Sequence, residues 1–296
     1  MKLGFIGFGE AAFSIASGLG ENGFTGIIAN DKMQDHPDFA PRIKDRASKA
    51  NVELKATPQE VVEEADVVIS AVQSSFAVDV CDSIKDSLRE GQIYADVSAS
   101  SPTIKQEIWE KVKDTGVLFA DAAMMGMLTV RRHEVPISAC GNGAQAFADA
   151  VNPIGMKVKV VSERVGVASA IKLIRSIYMK GYDSLIFEML RAADAFDVYD
   201  EMIENVAESM DGVPFATLVD WMLPGIGIHA KRRAHEMDAT VDMLAEKNID
   251  SSMSAAIRNQ LDLIDRLNLS EEYKEGWPEG KSWREVIHHV NEITSK

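Results

Sequence analysis

The chain has 296 residues and a formal net charge of −15, with 46% hydrophobic and 26% charged residues. This length exceeds the size at which a single core usually stops growing, so we expect two domains of an ordinary globular protein. The acidic composition argues against nucleic acid and anionic membranes as partners, since both bind basic surfaces. No apolar run reaches the ~18 residues that a membrane span requires.

Cysteine and histidine usage excludes two further classes of protein. Cys81 and Cys140 stand in unrelated contexts, which predicts a reducing compartment and no disulfide framework. The six histidines form neither a helical pair nor a cluster with cysteine, so we expect no metal site. The first residues lack the pattern of a signal peptide, and we therefore expect a cytoplasmic protein.

Short apolar runs alternate with helical patterns in the first half of the chain. Segment 65–72 is rich in β-branched residues, and Pro102 opens a helical pattern over 101–114. Such alternation predicts an α/β fold with a doubly wound, mostly parallel sheet that is covered on both faces. We expect strands at 2–7, 26–31, 52–55, 65–72, 92–98, 117–124, 134–141 and 156–162.

After Ser162 the strand signals stop, and only helical patterns remain. We expect breaks between helices at 211–214, 223–227, 247–250 and 275–281, where glycine, proline or asparagine interrupts the apolar pattern. The sequence therefore predicts an α/β domain over 1–162 and an all-helical domain over 163–296.

The first strand runs directly into GFGEAA at residues 7–12, which has the G-x-G-x-x-A form of a dinucleotide-binding turn. In such a turn Gly7 permits the sharp bend, Gly9 lets a pyrophosphate approach the backbone, and Ala12 lets the helix pack closely. Asp31 ends the second strand about 20 residues later, where an acid binds the ribose diol. We assign cofactor contacts to this turn, to the acid and to the end of a neighbouring strand: Gly7, Phe8, Gly9, Glu10, Ala11, Ala12, Asp31, Ala71, Val72 and Gln73.

The acid at residue 31 also bears on which cofactor binds. A carboxylate at this position repels the additional phosphate of NADP, so Asp31 favours NAD. The neighbouring Lys32 favours that phosphate and keeps NADP open as the alternative.

Four stretches resemble, in order, the β-hydroxyacid dehydrogenases, which include 3-hydroxyisobutyrate and 6-phosphogluconate dehydrogenases. They are GFIGFGEAA (4–12), DVSASSP (96–102), DAAMMG (121–126) and GVASAIKLIRS (166–176). The resemblance is strongest over 1–185, and the later helices are similar to a poorly characterised branch. It implies a Rossmann-type domain, an all-helical domain that pairs subunits, and an active site between the two.

The resemblance implies substrate contacts at Ser98 and in the loop that contains Met125 and Gly126. The family has a threonine where this chain has Ala99, and a substrate-binding serine where it has Met125. With Met124 also in this loop, we expect a more apolar substrate end. From the residues alone, Ser98 is equally suited to cap the helix that follows.

Segment 166–176 resembles the family's G-x-G-Q-x-x-K-x-x-N-N helix, which carries the catalytic lysine. That lysine falls on Lys172, and Ser176 replaces the asparagine that assists it. Arg175 shares their helical face, where like charges repel unless a negative group faces them. We assign Lys172 and Ser176 to catalysis and Arg175 to substrate binding, with a solvated helix face as the alternative. A mid-helix glycine, Gly181, predicts a kink or a close backbone approach.

The resemblance implies hydride transfer between a nicotinamide cofactor and a small, anionic hydroxy acid or its carbonyl form, with Lys172 moving the proton. Imine reduction on the same scaffold and a non-catalytic NAD-sensing protein stay open as alternatives. We also expect a homodimer made through the helical domain, because stripes such as 185–190 need cover. Two basic clusters, 131–133 and 229–237, either meet an anionic substrate or form local ion pairs and turns.

Overall fold

The structure is a computed structural model that describes residues 1–273 and 282–295. Within these residues, eight strands form one sheet in the order β3-β2-β1-β4-β5-β6-β7-β8. The strands are β1 (Leu3–Ile6), β2 (Ile27–Asn30), β3 (Glu53–Leu54), β4 (Val67–Ser70), β5 (Ile93–Asp96), β6 (Leu118–Met124), β7 (Pro136–Cys140) and β8 (Lys157–Ser162). Each lies inside a segment predicted from the sequence, and the doubly wound α/β fold class is confirmed.

Neighbouring strands run parallel except for β6 and β7. The strand order reverses between β1 and β4, which is the switch point of a doubly wound sheet. Ile6, Ser70, Asp96 and Asp121 lie side by side across β1, β4, β5 and β6. The residues that follow these strands therefore share one edge of the sheet.

Helices cover both faces of the sheet. Ile15 and Phe147 belong to the buried cluster on one face, whereas Val61 and Ile108 belong to the cluster on the other. The helices that accompany the strands are α1 (Glu10–Glu21), α2 (Ala40–Lys49), α3 (Pro58–Glu64), α4 (Ala77–Ile84), α5 (Pro102–Val112), α6 (Leu128–Arg131) and α7 (Ala144–Val151).

Helices alone follow the sheet in the part of the chain that the structure describes. The breaks predicted at 211–214 and 247–250 are confirmed, and the break predicted at 275–281 lies outside the described residues. These helices are α8 (Val167–Phe196), α9 (Tyr199–Met210), α10 (Phe215–Glu246), α11 (Ser252–Asp265), α12 (Leu269–Glu272) and α13 (Trp283–Thr294).

The break predicted at 223–227 is wrong, because α10 continues through it. Pro224 removes one backbone hydrogen bond, and proline in a helix interior costs about 3 kcal/mol relative to alanine. Leu218, Ala230 and Ala234 are buried on either side of this turn. Packing of the helix as a whole therefore outweighs the local penalty.

The chain forms two compact units, Met1–Ile177 and Tyr178–Lys296. The sheet ends at Ser162, and the first unit also contains the beginning of α8. Among the described residues, every helix is too short or too polar to cross a membrane.

Candidate functional site

The strand ends bring the predicted cofactor and substrate segments to one edge of the sheet. Gly7 follows β1, Asp31 follows β2 and Ala71 follows β4. Ser98 and Met125 lie along the same edge, after β5 and β6. Ligands of doubly wound sheets bind at this edge, in the crevice where the strand order reverses.

Gly7 fits its position because the backbone excludes a larger residue. Its φ is +86°, and a Cβ atom there would lie 2.7 Å from Val72 Cγ1 and 2.9 Å from the Ala71 carbonyl oxygen. The glycine turn therefore lies directly against the residues that follow β4, as a shared cofactor site requires. Gln73, which follows Val72, is exposed.

Gly9 has no such structural requirement, since a Cβ atom there would meet none of the described atoms within 4 Å. It precedes α1 and has no side chain to cap the helix, so among the described residues the first N–H groups of α1 receive no side-chain cap. Ala12 is fully buried, Ala11 is half-buried and Glu10 is exposed. Open space beside the uncapped start of a helix suits an anion such as a phosphate.

Asp31 is held toward the glycine turn by two backbone hydrogen bonds. Its Oδ2 accepts from the N–H of Phe8 at 2.7 Å, and its Oδ1 accepts from the N–H of Met33 at 2.8 Å. The side chain remains half-buried at the edge of the sheet. Each oxygen keeps a second lone pair, so Asp31 retains the capacity to accept hydrogen bonds from a diol.

Arg46 on α2 lies near this edge and was not singled out from the sequence. Its guanidinium carbon lies 5.6 Å from the ring centroid of Phe13 on α1. The pKa of Arg46 is lowered, first by burial and then by the charge of Arg42. The charges of Glu10 and Asp31 act in the opposite direction. A cation therefore stands within electrostatic reach of Glu10 in the glycine turn and of Asp31 after β2.

Ser98 is buried in the loop after β5. Its N–H donates to Asp96 Oδ1 at 3.0 Å, its hydroxyl donates to the same oxygen, and Ser100 Oγ lies 2.7 Å from its hydroxyl oxygen. The alternative assignment of Ser98 as a helix cap is wrong, because the hydroxyl of Ser101 accepts the capping bond from Ile104. Ser98 thus belongs to a polar cluster beneath the loop.

A lysine that the sequence analysis missed stands at the centre of this cluster. Lys105 on α5 is 0% exposed, and its Nζ donates to the Asp96 carbonyl oxygen at 2.7 Å and to the Asp96 carboxylate. Its Nζ also lies 3.7 Å from Asp121 Oδ1, and both acids are fully buried. A signal was present in the sequence, since Lys105 shares a helical face with the core residues Ile108 and Val112.

Asp121 connects this cluster to the start of α8. Its Oδ1 accepts from the Ser169 hydroxyl at 2.7 Å, and its Oδ2 accepts from the N–H groups of Gly166 at 3.1 Å and Ser169 at 3.2 Å. Gly166 has a φ of +93°, and a Cβ atom there would lie 3.1 Å from Pro102 Cβ. A carboxylate at the start of a helix also interacts favourably with the helix dipole.

Both cysteines are free and buried. Cys140 Sγ donates to Asp121 Oδ2 at 3.3 Å and accepts from the N–H of Ala168 at 3.2 Å. Burial raises the pKa of the Cys140 thiol to about 11 and that of Cys81 to about 12. Neither thiol is therefore a nucleophile at neutral pH.

The loop after β6 presents methionines where the sequence predicted an apolar end to the site. Met125 is half-buried and packs with Ala168 at the start of α8 and with Cys140 at the end of β7, and Met124 is half-buried as well. Gly126 is exposed, and a Cβ atom there would lie 3.4 Å from Val135. The fold alone therefore does not require glycine at this position.

Lys172, Arg175 and Ser176 lie on α8, one to three turns after its anchored start. Lys172 and Ser176 are half-buried, and Arg175 is exposed. The Ser176 hydroxyl donates to the Lys172 carbonyl oxygen at 3.1 Å, a common bond for serine in a helix. Gly181 lies in the continuous part of α8, and a Cβ atom there would meet none of the described atoms within 4 Å, so the close approach predicted there is not found.

The 229–237 cluster forms local ion pairs, as its second interpretation predicted, whereas Arg132 of the 131–133 cluster pairs with a residue distant in sequence, which neither interpretation of that cluster predicted. Arg131 and His229 are exposed, and Arg233 lies over Gly225 on the same helix. The ion pairs are Arg132 with Glu21, Arg232 with Glu236 and His235 with Asp238.

Two family models match this chain. A family described as "NADP oxidoreductase coenzyme F420-dependent" matches residues 2–100, and a domain of unknown function, DUF1932, matches residues 193–264. The first match includes the glycine turn, Asp31 and Ser98, whereas the second lies within the helical part of the chain.

The known proteins that are similar to this chain include the following three. MTH1747 is a conserved protein of unknown function whose structure resembles 3-hydroxyacid dehydrogenases; it is 30% identical, with 91% of this chain and 99% of that chain covered and a TM-score of 0.60. Mitochondrial 3-hydroxyisobutyrate dehydrogenase of Mus musculus is 28% identical over 128 residues, which cover 42% of this chain and 36% of the mouse protein. An imine reductase from Myxococcus stipitatus, solved with NADP⁺, shares the fold at 16% identity and a TM-score of 0.74, over 91% of this chain and 96% of that chain.

Proposed function

Because the chain belongs to the 3-hydroxyacid dehydrogenase-like family, we propose that it transfers a hydride between a nicotinamide cofactor and a small hydroxy acid or its carbonyl form. The observation that carries this proposal is the placement of the glycine turn, Asp31 and the anchored start of the Lys172 helix along one sheet edge. In this proposal residues 1–162 bind the cofactor, and the helical remainder serves substrate binding and dimerisation. The free cysteines support a reducing, cytoplasmic location.

The glycine turn fits a dinucleotide. The open space at Gly9 and the uncapped start of α1 accept the pyrophosphate, and Asp31 accepts hydrogen bonds from a ribose. Ala71 and Val72 line the crevice beside Gly7. Once bound, the nicotinamide supplies or accepts the hydride.

Lys172 moves the proton in this proposal. Its ammonium donates to the oxygen of a carbonyl that is being reduced, and its amine accepts the proton when a hydroxyl is oxidised. Arg175, exposed on the same helical face, binds a negative group of the substrate. Ser176 stays close to Lys172 through its bond to the Lys172 carbonyl oxygen, and its hydroxyl oxygen keeps both lone pairs as acceptors.

Imine reduction is a second candidate, favoured by Met125. This residue stands where the resemblance places a serine on the substrate carboxylate, and it packs against the start of α8. The loop side chain at this position therefore offers no hydroxyl to a carboxylate. Oxidation or reduction of NAD(P)(H) with a panel of hydroxy acids, keto acids and cyclic imines separates the two activities, since turnover of imines alone would select the second.

The exposed apolar face of α8 supports a homodimer. Ile177 is 77% exposed and Phe187 is 67% exposed on this helix. Between these two residues, Tyr178 stacks on Tyr182 with ring centroids 5.9 Å apart, and Tyr178 also meets Phe215 edge to face at 5.0 Å. Neighbouring exposed apolar side chains are typical of interfaces, and we propose a second copy of this chain as their partner.

Gly9→Ala should weaken cofactor binding while the fold persists. Apart from the adjoining residues, a methyl group at this position meets none of the described atoms within 4 Å, yet it occupies the space proposed for the pyrophosphate. We expect the Kd for NADH to rise at least ~10-fold, about 1.4 kcal/mol, in a fluorescence titration. The free energy of unfolding should fall by less than ~1 kcal/mol, the usual cost of alanine at a helix cap.

Two glycine variants are the controls for this experiment. Gly181→Ala, also in open space, should leave the Kd unchanged and stabilise the helix by up to ~1 kcal/mol. Gly7→Ala should instead destabilise the whole domain, because of its positive φ and the contact with Val72. An unchanged Kd in Gly9→Ala would place the pyrophosphate elsewhere.

NADH should bind more tightly than NADPH. The carboxylate of Asp31 is fixed beside the glycine turn and repels a phosphate at short range. Dissociation constants of the two cofactors, measured at the same ionic strength, check this preference. Tighter binding of NADPH would contradict it and would assign Arg46 and Lys32 to the phosphate.

Lys172→Met should lower turnover by ~10²–10⁴-fold, the usual contribution of general acid–base catalysis. Cofactor affinity and stability should persist, because methionine preserves most of the side-chain volume. Arg175→Met should mainly raise KM, since it removes a charge that binds substrate. These constants are measured with a substrate from the panel described above.

Lys180→Met is the matched control on the same helix, because Lys180 is an exposed lysine without a role in this proposal. Its rate should remain near that of the native chain. A solvated helix face predicts the same result for Lys172→Met and Arg175→Met, with stability changes under ~0.5 kcal/mol. A near-normal rate for Lys172→Met would therefore remove the lysine from catalysis.

The protein should have the mass of a dimer in light scattering at micromolar concentration. Phe187→Glu should shift it toward the monomer, because a buried carboxylate without a partner destabilises an interface. Val130→Glu, at a residue 69% exposed on α6, is the matched control and should remain dimeric. A monomeric native chain would overturn the dimer.

A further inference from the structure

We propose that Lys105 is a positioning residue: through Asp96 and Asp121 it couples the loop that bears Ser98 to the start of the helix that bears Lys172. This inference rests on the proposed function for the roles of Ser98 and Lys172. The coupling itself rests on a chain of hydrogen bonds and charges inside the first unit. Lys105 does not have to contact substrate or cofactor for this purpose.

Asp96 is the first arm of this coupling. Its carboxylate receives the Lys105 ammonium, the Ser98 hydroxyl and the Ser98 N–H on one oxygen, Oδ1. The Lys105 ammonium also donates to the backbone carbonyl of Asp96 at 2.7 Å. The Lys105 nitrogen therefore joins α5 to the end of β5, and Asp96 Oδ1 joins both to the loop.

Asp121 is the second arm. Its Oδ1 lies 3.7 Å from Lys105 Nζ and accepts from the Ser169 hydroxyl at 2.7 Å. Ser169 stands three residues before Lys172, and residues at this spacing share a helical face. The position of Asp121 thus sets the position of the helical turn that precedes Lys172.

Stability alone gives a poor account of this arrangement. One ammonium faces two carboxylates, and all three side chains are 0% exposed. Replacing buried ions by apolar residues of similar volume is often neutral or stabilising, whereas a buried charge without its partner is strongly destabilising. Asp96 Oδ2 also has no hydrogen-bond partner among the described residues, which adds a further desolvation cost. These three charges are accounted for if they hold the Ser98 loop and the start of α8 in a fixed relative position.

Amide hydrogen exchange on the full chain tests the coupling without any substrate. Ser169→Ala removes one bond to Asp121, and Ser98→Ala removes one bond to Asp96. If Lys105 couples the arms, Ser169→Ala should raise exchange at the Ser98 amide, and Ser98→Ala should raise exchange at the Gly166 and Ser169 amides. We expect increases of about 3- to 10-fold, as for a local opening that becomes ~0.7–1.4 kcal/mol easier.

Lys105→Met should abolish this transmission, so that each serine variant changes exchange only on its own side. Where Lys105→Met fails to fold, Asp96→Asn serves instead, because it keeps the volume and weakens the bond to the ammonium. Lys111→Met is the matched control on the same helix, since Lys111 forms its ion pair with Asp82 at the surface. The coupling would be overturned if, with Lys105 present, Ser98→Ala and Ser169→Ala each changed amide exchange only on its own side.

A kinetic measurement separates positioning from a structural role. With any substrate that the chain turns over, Asp121→Asn should lower kcat ~10²-fold, the effect of misplacing a catalytic group by about 1 Å. The Kd for NADH should stay unchanged, because the glycine turn is not part of the cluster. An unchanged kcat in folded Asp121→Asn would reduce the cluster to a structural feature. Absence of turnover in the native chain would instead overturn the proposed function and leave the exchange result intact.

Discussion

A buried negative charge stands at the carboxyl edge of the sheet, and the start of α8 is built around it. Asp121 is fully buried, and its two oxygens accept a hydroxyl and two N–H groups from Gly166 and Ser169. The glycine supplies the positive φ that points its N–H at the carboxylate, and the serine supplies a hydroxyl one turn later. The direction in which α8 leaves the sheet therefore depends on this one carboxylate and on the Lys105 ammonium beside it.

The glycines of this chain divide according to what surrounds them. Gly7 and Gly166 have positive φ values, and a Cβ atom at either would meet neighbouring atoms at 2.7 Å and 3.1 Å. Gly9 has open space instead, and nothing in the described chain requires glycine there. Gly9 differs from Gly181, which also has open space, because Gly9 directly precedes the uncapped start of α1 at the carboxyl edge of the sheet. This contrast is the physical ground on which the turn before α1 is proposed to hold a phosphate.

Strands could be predicted because runs of β-branched and apolar residues, such as 65–72, are local signals. The break expected at 223–227 was wrong because the sequence shows the local proline penalty but not the packing along the whole of α10 that outweighs it. The glycine turn and Asp31 follow a known spacing, and the structure brings them together. The buried position of Lys105 was not predicted, because one lysine on an otherwise apolar helix face gives no sign of its partners. Asp96 and Asp121 are distant from it in sequence, and only the fold places them beside it.

The hydroxyl groups expected to contact substrate are already engaged within the protein. Ser98 is bonded to Asp96 and Ser100, and Ser176 donates to a backbone carbonyl. The loop that follows β6 adds methionine rather than another hydroxyl. Polar recognition in the proposed site would then fall mainly to the cations of α8, while apolar contact shapes the rest. Such a site places few hydrogen-bonding demands on its substrate, which is why a carbonyl and an imine are both chemically compatible with it.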